Sequence, residues 1–426
     1  MSQSTLVDNA VEPLTGATAA STPDSHSPVP EQRSFIEIGV SPQVIAALAA
    51  RKIMAPFPIQ ALVMADALAG KDILGRSPTG SGKTLAFSIP LVELMKSDSR
   101  GPSALVLVPT RELASQVTGE LREIAKAKGF KVATVYGGVG LNDQAKRASG
   151  AQIIVATPGR LEDLLTRRML SIDKVRFLVL DEADRMLDMG FQPQVAKIVR
   201  RLPSARQTMF FSATLDGEVG RLAKAYTTDA TRHEVASLKE TVVDVLHRFL
   251  PVTSGDKIQA LLDLLGKEKG RSLVFVRTKR GADRLATKLK GSGIGALAMH
   301  GDMSQSARER SLARFESGSA RTLVATDVAA RGIDVNGITH VINFDPPSDH
   351  KDYIHRVGRT ARAGKTGTGV TFVLPEQEPD VSRMAARLKL NEEFEEHGMK
   401  IRPTSIAFTS RRGRKGGMTP RRRRML

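Results

Sequence analysis

Cysteine is absent from the 426 residues, which excludes a disulfide framework, a thiolate metal site and a cysteine nucleophile. Tryptophan is absent too and tyrosine numbers 3, which argues against a broad aromatic platform for stacking bases. No stretch of 18 apolar residues occurs, so no membrane-spanning helix and no membrane partner are expected. Met1 to Ala20 has neither a basic start nor an apolar core. A secretory leader is therefore not expected, and a soluble cytoplasmic protein is.

What is present is an ordinary globular composition with a large positive excess. Hydrophobic residues make up 41% and charged residues 25%, and the length suits two domains with tails. Lys and Arg number 63 against 45 Asp and Glu, giving +18. Ten of those charges follow Glu396, where no acid occurs, and residues 1–33 hold four acids and one Arg. The stretch 34–399 keeps +11, so the folded part is basic in its own right and suits a polyanionic partner.

Residues 1–33 are rich in Ser, Thr, Pro and Ala and read as disordered. Arg411 to Leu426 reads as a flexible cationic arm, with ordered signal fading after about Leu390. Between the tails, short apolar runs alternate with helical patterns. The runs are Ile73-Leu74, Ala104 to Val108, Lys131 to Tyr136, Gln152 to Ala156, Phe177 to Leu180 and Thr208 to Phe211. A second series is Leu273 to Val276, Ala296 to Met299, Thr322 to Ala325, His340 to Phe344 and Gly369 to Val373. Such runs suit strands of parallel sheets covered on both faces, and Glu112 to Lys128 suits a crossover helix. The polar stretch Ala236 to Val245 reads as a hinge between two α/β halves.

Ser77-Pro-Thr-Gly-Ser-Gly-Lys-Thr84 follows an apolar strand and opens a helical run. A Gly-rich turn there aims backbone N–H groups at phosphates, and the helix N-terminus adds its dipole. Ser77, Pro78, Thr79, Gly80, Ser81 and Gly82 would cradle the phosphates, Lys83 would reach the β- and γ-phosphates, and Thr84 would hold Mg²⁺. Ser77 stands where the strict pattern has Gly, and an isolated match would also read as a surface turn. Asp181-Glu-Ala-Asp184 follows the run Phe177 to Leu180, on the ligand edge of such a sheet. Asp181 can bind Mg²⁺ through water, and Glu182 can orient or deprotonate the attacking water.

With these elements the sequence resembles the DEAD-box family of ATP-dependent RNA helicases, of helicase superfamily 2 and bacterial type, over about residues 34–378. The resemblance implies two tandem RecA-like parallel-sheet domains joined by a short hinge. The expected division is a disordered segment 1–33, an ATP-binding domain 34–237, a second domain 238–378 and a C-terminal extension 379–426. Phe35 and Pro58-Ile59-Gln60 resemble the family's Q motif, spanning 34–62. There the resemblance implies that Gln60 reads the adenine edge and Phe35 stacks on the ring. Phe57 stands where the family often has Thr, and Ile53 where an aromatic is usual.

Pro109-Thr-Arg-Glu-Leu113, Gly137-Gly138 and Thr157-Pro-Gly-Arg160 resemble the family's RNA-backbone motifs. Arg111, Gly137, Gly138, Thr157, Gly159 and Arg160 are the implied contacts. Ser212-Ala-Thr214 resembles the coupling motif, with the Ser212 and Thr214 hydroxyls expected near Asp184. In the second half, Val274-Phe-Val-Arg277 resembles the opening strand, and Gln305 and Arg308 fit QxxR, with Arg308 implied to hold RNA. Thr326 to Asp334 implies Thr326 and Arg331 on RNA and Asp334 on the ATP ribose. His355-Arg-Val-Gly-Arg-Thr-Ala-Arg362 implies coupling through His355 and arginine fingers at Arg359 and Arg362, with Ala361 in place of a frequent Gly.

The resulting expectation is an RNA-stimulated ATPase that uses ATP and Mg²⁺ and unwinds short duplexes. Its site is split between two halves, and it grips sugar and phosphate without sequence preference. A clamp that closes on RNA with little turnover, and a DNA translocase, are the alternatives. Ribosomal and RNA-decay proteins are candidate partners, and the core is expected to be monomeric.

Overall fold

The computed structural model describes residues 34–77, 81–96, 101–235, 245–330, 335, 337–361 and 366–401. The expected disordered segment 1–33, the hinge residues 236–244 and the cationic arm lie outside them.

Thirteen strands among the described residues form two sheets. The first contains β1 Ile73–Arg76, β2 Ala104–Leu107, β3 Val132–Val135, β4 Ile153–Ala156, β5 Phe177–Leu180, β6 Gln207–Ser212 and β7 Thr231–Glu234, in the order β3-β4-β2-β5-β6-β1-β7. The second contains β8 Val245–Pro251, β9 Arg271–Phe275, β10 Ala296–Met299, β11 Thr322–Ala325, β12 Ile338–Asn343 and β13 Gly367–Val373, in the order β10-β11-β9-β12-β13-β8. Every pairing is parallel. The expected apolar runs all fall on these strands.

Two strands were not foreseen. β7 reads Thr-Arg-His-Glu and β8 reads Val-Leu-His-Arg-Phe-Leu-Pro, and each lies at a sheet edge. An edge strand has one neighbour and one wetter face, so neither needs the continuous apolar run of a central strand.

Successive residues of a strand point to opposite faces, so each sheet builds two cores. In the first, Val106, Val155, Val179 and Phe211 face one side, while Leu105, Leu107, Ile154 and Phe210 face the other. In the second, Leu273, Phe275 and Val341 oppose Val274, Val324 and Ile342. Gly75 in β1 is required by packing. A Cβ there would lie 2.5 Å from Cδ1 of Phe211, whose ring sits 5.7 Å from that of Phe87. Asp72 ties three elements by accepting from the backbone N–H of Thr208 and of Thr228, each at 2.7 Å.

The second core extends past residue 378. Helices Glu378–Leu388 and Asn391–Glu395 bring Val381, Met384, Ala385 and Phe394 against it. Phe394 packs edge-on against Phe249 of β8, with ring centroids 5.4 Å apart. The parallel arrangement has one consequence for function: all strand carboxyl ends of a sheet emerge along one edge, and the loops there can converge on a ligand.

Candidate active site and RNA interface

The first sheet's carboxyl edge gathers the candidate phosphate loop, Asp181 and Ser212. Ser77 N–H donates to the Ser212 carbonyl at 3.2 Å, continuing the β1–β6 ladder into the loop. Ser81 Oγ donates to Ser77 Oγ at 2.9 Å, and buried Lys83 Nζ donates to the Ser77 carbonyl at 3.0 Å. Gly82 is left-handed with φ 87°, and a Cβ there would lie 2.6 Å from Gln60 Nε2. Glycine is therefore required on both conformational and steric grounds. Helix Lys83–Leu94 follows at once and carries Thr84 in its first turn. Pro78, Thr79 and Gly80 lie outside the described residues.

Gln60 is buried and braces this loop. Its Nε2 donates to the Gly82 carbonyl at 2.9 Å and its Oε1 accepts from Phe57 N–H at 3.0 Å. Each end of the amide keeps one further hydrogen-bonding capacity. Phe35 is placed differently from its expected role. It is 3% exposed and packed in the first core, and it is not among the cavity-lining residues. Burial of a large ring repays more than its exposure beside a polar cleft. The aromatic surface at the cavity is Phe57, which is 51% exposed.

Asp181 and Glu182 are both buried. Asp181 Oδ1 accepts from Glu182 N–H at 3.0 Å, and Glu182 is left-handed with φ 51°. Burial pushes the Asp181 carboxyl up to about 7; Lys83 opposes the rise and Glu182 adds to it. Burial also pushes Glu182 up, but Arg185, Arg359, Lys83 and His355 outweigh it and hold the carboxyl below its usual value. Arg185 Nε lies 3.5 Å from Glu182 Oε2, an i,i+3 pair that the spacing alone could have signalled.

Asp184 joins this centre to the Ser212-Ala-Thr214 turn. Its Oδ2 accepts from the N–H of Ala213 at 3.1 Å and of Thr214 at 3.2 Å, and its own N–H donates to Ser212 Oγ at 3.3 Å. The expected hydroxyl contact holds for Ser212. Thr214 contributes its backbone N–H, alongside those of Ala213 and Arg185.

A cavity of about 230 Å³ is lined by Phe57, Gln60, Gly82, Lys83, Thr84, Asp181 and Glu182 of the first domain and by Arg359 of the second. Arg359 is buried and its Nε donates to the His355 carbonyl at 3.3 Å. Its neighbour Arg356, which drew no role in the sequence, is the anchor of that segment. Arg356 makes a bidentate pair with Asp327 at 2.6 and 2.7 Å and donates to Asn343 Oδ1 at 3.0 Å and the Asp345 carbonyl at 2.7 Å. Arg362 and Asp334 lie outside the described residues.

The candidate RNA residues of the first domain form one cluster at the ends of β2, β3 and β4. The Arg111 guanidinium lies against the Gly137-Gly138 turn so closely that a Cβ at either glycine would crowd it, and Gly138 has φ 86°. Arg160 donates to the Val139 carbonyl at 2.9 Å and to Gln144 Oε1 at 3.4 Å. Thr157 N–H donates to the Val135 carbonyl at 2.9 Å, and nothing crowds Gly159. In the second domain Thr326 N–H donates to the Met299 carbonyl at 3.3 Å at the start of helix Asp327–Ala330, and Arg331 lies outside the described residues. Arg308 departs from expectation. It is buried, and its Nη2 lies 2.9 Å from Oε1 of buried Glu112 in the first domain. A buried guanidinium is stable only beside a counter-charge, so Glu112 takes it as an interdomain strut.

The sequence profile of the DEAD/DEAH box helicases matches residues 57–222, and that of the helicase conserved C-terminal domain matches residues 256–364. The DEAD-box ATP-dependent RNA helicase CshA of Geobacillus kaustophilus is 41% identical over 346 residues, covering 81% of this chain and 74% of its own length. The chain belongs to the DEAD-box helicase family. Another such relative, CshA of Bacillus subtilis, is 43% identical over 322 residues, 75% of this chain and 65% of that protein's length. Among solved structures, Saccharomyces cerevisiae Dbp5 bound to RNA and ADP BeF3 superposes with a TM-score of 0.75 at 30% identity, covering 84% of this chain and 93% of that one. Mss116p bound to ssRNA and AMP-PNP gives a TM-score of 0.76 at 25% identity, over 84% and 78%. These matches fix this DEAD-box chain as two RecA-like domains.

Proposed function

We propose that this chain is an RNA-dependent ATPase that uses ATP binding and hydrolysis to open or remodel short RNA duplexes. The observation that carries the reading is the shared cavity: Lys83, Thr84 and Glu182 come from one domain and Arg359 from the other. The charge developing on a transferred phosphoryl group is met by Lys83 from one side and an arginine from the other, and an arginine finger is worth about 10³–10⁵ in rate. ATP is therefore hydrolysed fast only when the halves are together.

The donor set fits Mg²⁺. The Thr84 hydroxyl and the Asp181 carboxylate are hard oxygen ligands, and phosphates and water complete such a shell. A buried carboxyl held near 7 is also one that a dication would return to full ionisation. The ion neutralises phosphate charge when bound. Glu182, held ionised by its cationic neighbours, is the group that orients the attacking water and accepts its proton. The roles of Pro78, Thr79, Gly80, Asp334, Arg331 and Arg362 rest on the family resemblance.

RNA lies across Arg111, the Gly137-Gly138 turn and Arg160, and onto Thr326. These contacts address sugar and phosphate, so binding is independent of sequence and falls steeply with salt. Because RNA and ATP each touch both domains, each favours the closure the other needs. Both halves of the site belong to one chain, so a monomer suffices. The cytoplasm is the assigned compartment, and structured RNA in ribosomal or RNA-decay assemblies is a fitting substrate. Steady-state ATPase assays with and without single-stranded RNA test the reading. Stimulation by RNA but not by DNA of equal length is expected; equal rates with and without RNA would overturn it.

A further inference from the structure

We propose that the basic groove along the outer edge of the first sheet is a second RNA subsite, which holds the strand where it leaves the clamp. The proposal rests on the RNA reading above and extends its footprint. The groove is a cavity of about 750 Å³ beside edge strand β3, between helices Arg111–Ala127 and Leu141–Ser149. Five cations line it: Arg122 and Lys126 one helical turn apart, Lys131 at the foot of β3, and Lys146 and Arg147 on the facing helix. No carboxylate is among its lining residues.

The state of those cations argues for an anionic occupant. All five residues are exposed, and among the described residues none of their side chains forms an ion pair. Elsewhere on the surface Lys71, Lys128, Lys197 and Lys279 each sit on a carboxylate at 2.6–2.9 Å. Converging unpaired cations repel one another, and a polyanion relieves that repulsion by neutralising several at once.

Continuity identifies the polyanion. Tyr136 lines the groove and directly precedes the Gly137-Gly138 turn. Gln144, also in the lining, donates to the Tyr136 carbonyl at 2.9 Å and accepts from Arg160. The groove therefore opens into the cluster assigned to the RNA backbone. A strand leaving that cluster meets the half-buried Tyr136 ring and then the row of cations, a pairing of stacking surface and phosphate contacts suited to single strands.

The test uses the intact chain carrying Lys131→Gln, Lys146→Gln and Arg147→Gln, and oligouridylates of about 6 and about 20 nucleotides, which bracket common single-strand site sizes. ATP-dependent affinity for the long RNA should fall about tenfold, and its log–log salt slope should drop by about 2, at about 0.7 for each phosphate no longer neutralised. Affinity for the short RNA and ATPase at saturating short RNA should stay unchanged. An equal loss on both lengths, or no loss on either, overturns the groove as a separate subsite while leaving the clamp intact. Poly-glutamate binding that disappears in the variant while long-RNA affinity persists assigns the groove to an acidic protein segment and also overturns it. Failure of the unaltered chain to bind either RNA with ATP would instead bring down the clamp and the groove together.

Discussion

The two domains share a parallel-sheet plan but carry opposite halves of the chemistry. The first sheet ends in a Gly-rich loop, a buried lysine and two buried carboxyl groups, all braced within that domain by Gln60, Arg185 and Asp184. The second presents an arginine, Arg359, on a segment anchored by Arg356 to Asp327, Asn343 and Asp345. The first domain thus supplies most of the cavity lining, and the second adds Arg359 to it. On the proposed reading, that separation makes the distance between domains the controlling variable, through which RNA would regulate a reaction at a site it does not touch.

The largest expected effect breaks this division at its active end. Arg359→Ala should lower RNA-stimulated kcat by about 10³ or more and leave ATP affinity nearly as it was, measured by single-turnover hydrolysis and nucleotide titration. Equal loss in an Arg356→Ala variant would show anchoring and chemistry to be inseparable. A residual rate near wild type in Arg359→Ala would refute the split site.

Next comes the strut between the halves. Glu112→Gln leaves the Arg308 charge buried without a partner on closure, which costs about 3 kcal/mol or more and should raise the RNA concentration needed for half-maximal ATPase at least about a hundredfold. The double variant Glu112→Gln with Arg308→Gln should recover much of that loss, since no lone charge is then buried. Additive losses in the double variant would mean that the two side chains act separately, for instance with Arg308 on RNA.

The smallest effect sharpens the comparison by acting on one domain alone. In nucleotide-free protein with chelator, the folded Asp181 carboxyl titrates near 7, against an ordinary value of 3.8. Between those values the native state holds a proton that the unfolded state has released, so stability falls as pH rises through this window. Asp181→Asn should raise the first domain's melting temperature by a few degrees at pH 8 and leave it unchanged near pH 4. A shift independent of pH, read by calorimetry, would assign the effect to packing.

Much of the fold was legible because each central strand is a short apolar run that only a doubly covered parallel sheet accommodates. The edge strands β7 and β8 escaped notice because their sequences answer to a half-wet environment. Local geometry was equally legible: Gly82 closes a left-handed turn, and Lys83 and Thr84 open the helix it starts. Phe35 was not, since its burial depends on how the N-terminal segment packs onto the first core. Arg308 was not, since its partner Glu112 lies almost two hundred residues earlier.

By itself the sequence determined the family, the order of the two domains and the chemical type of nearly every residue at the site, because those follow from spacing within single strand–turn–helix units. Only the tertiary structure decided which guanidinium lines the cavity and which face carboxylates, how Gln60 divides its amide between the Gly82 carbonyl and the Phe57 N–H, and that five unpaired cations share one groove. Those outcomes depend on contacts between segments far apart in the chain, where burial and charge pairing select one arrangement among many that the same spacing allows.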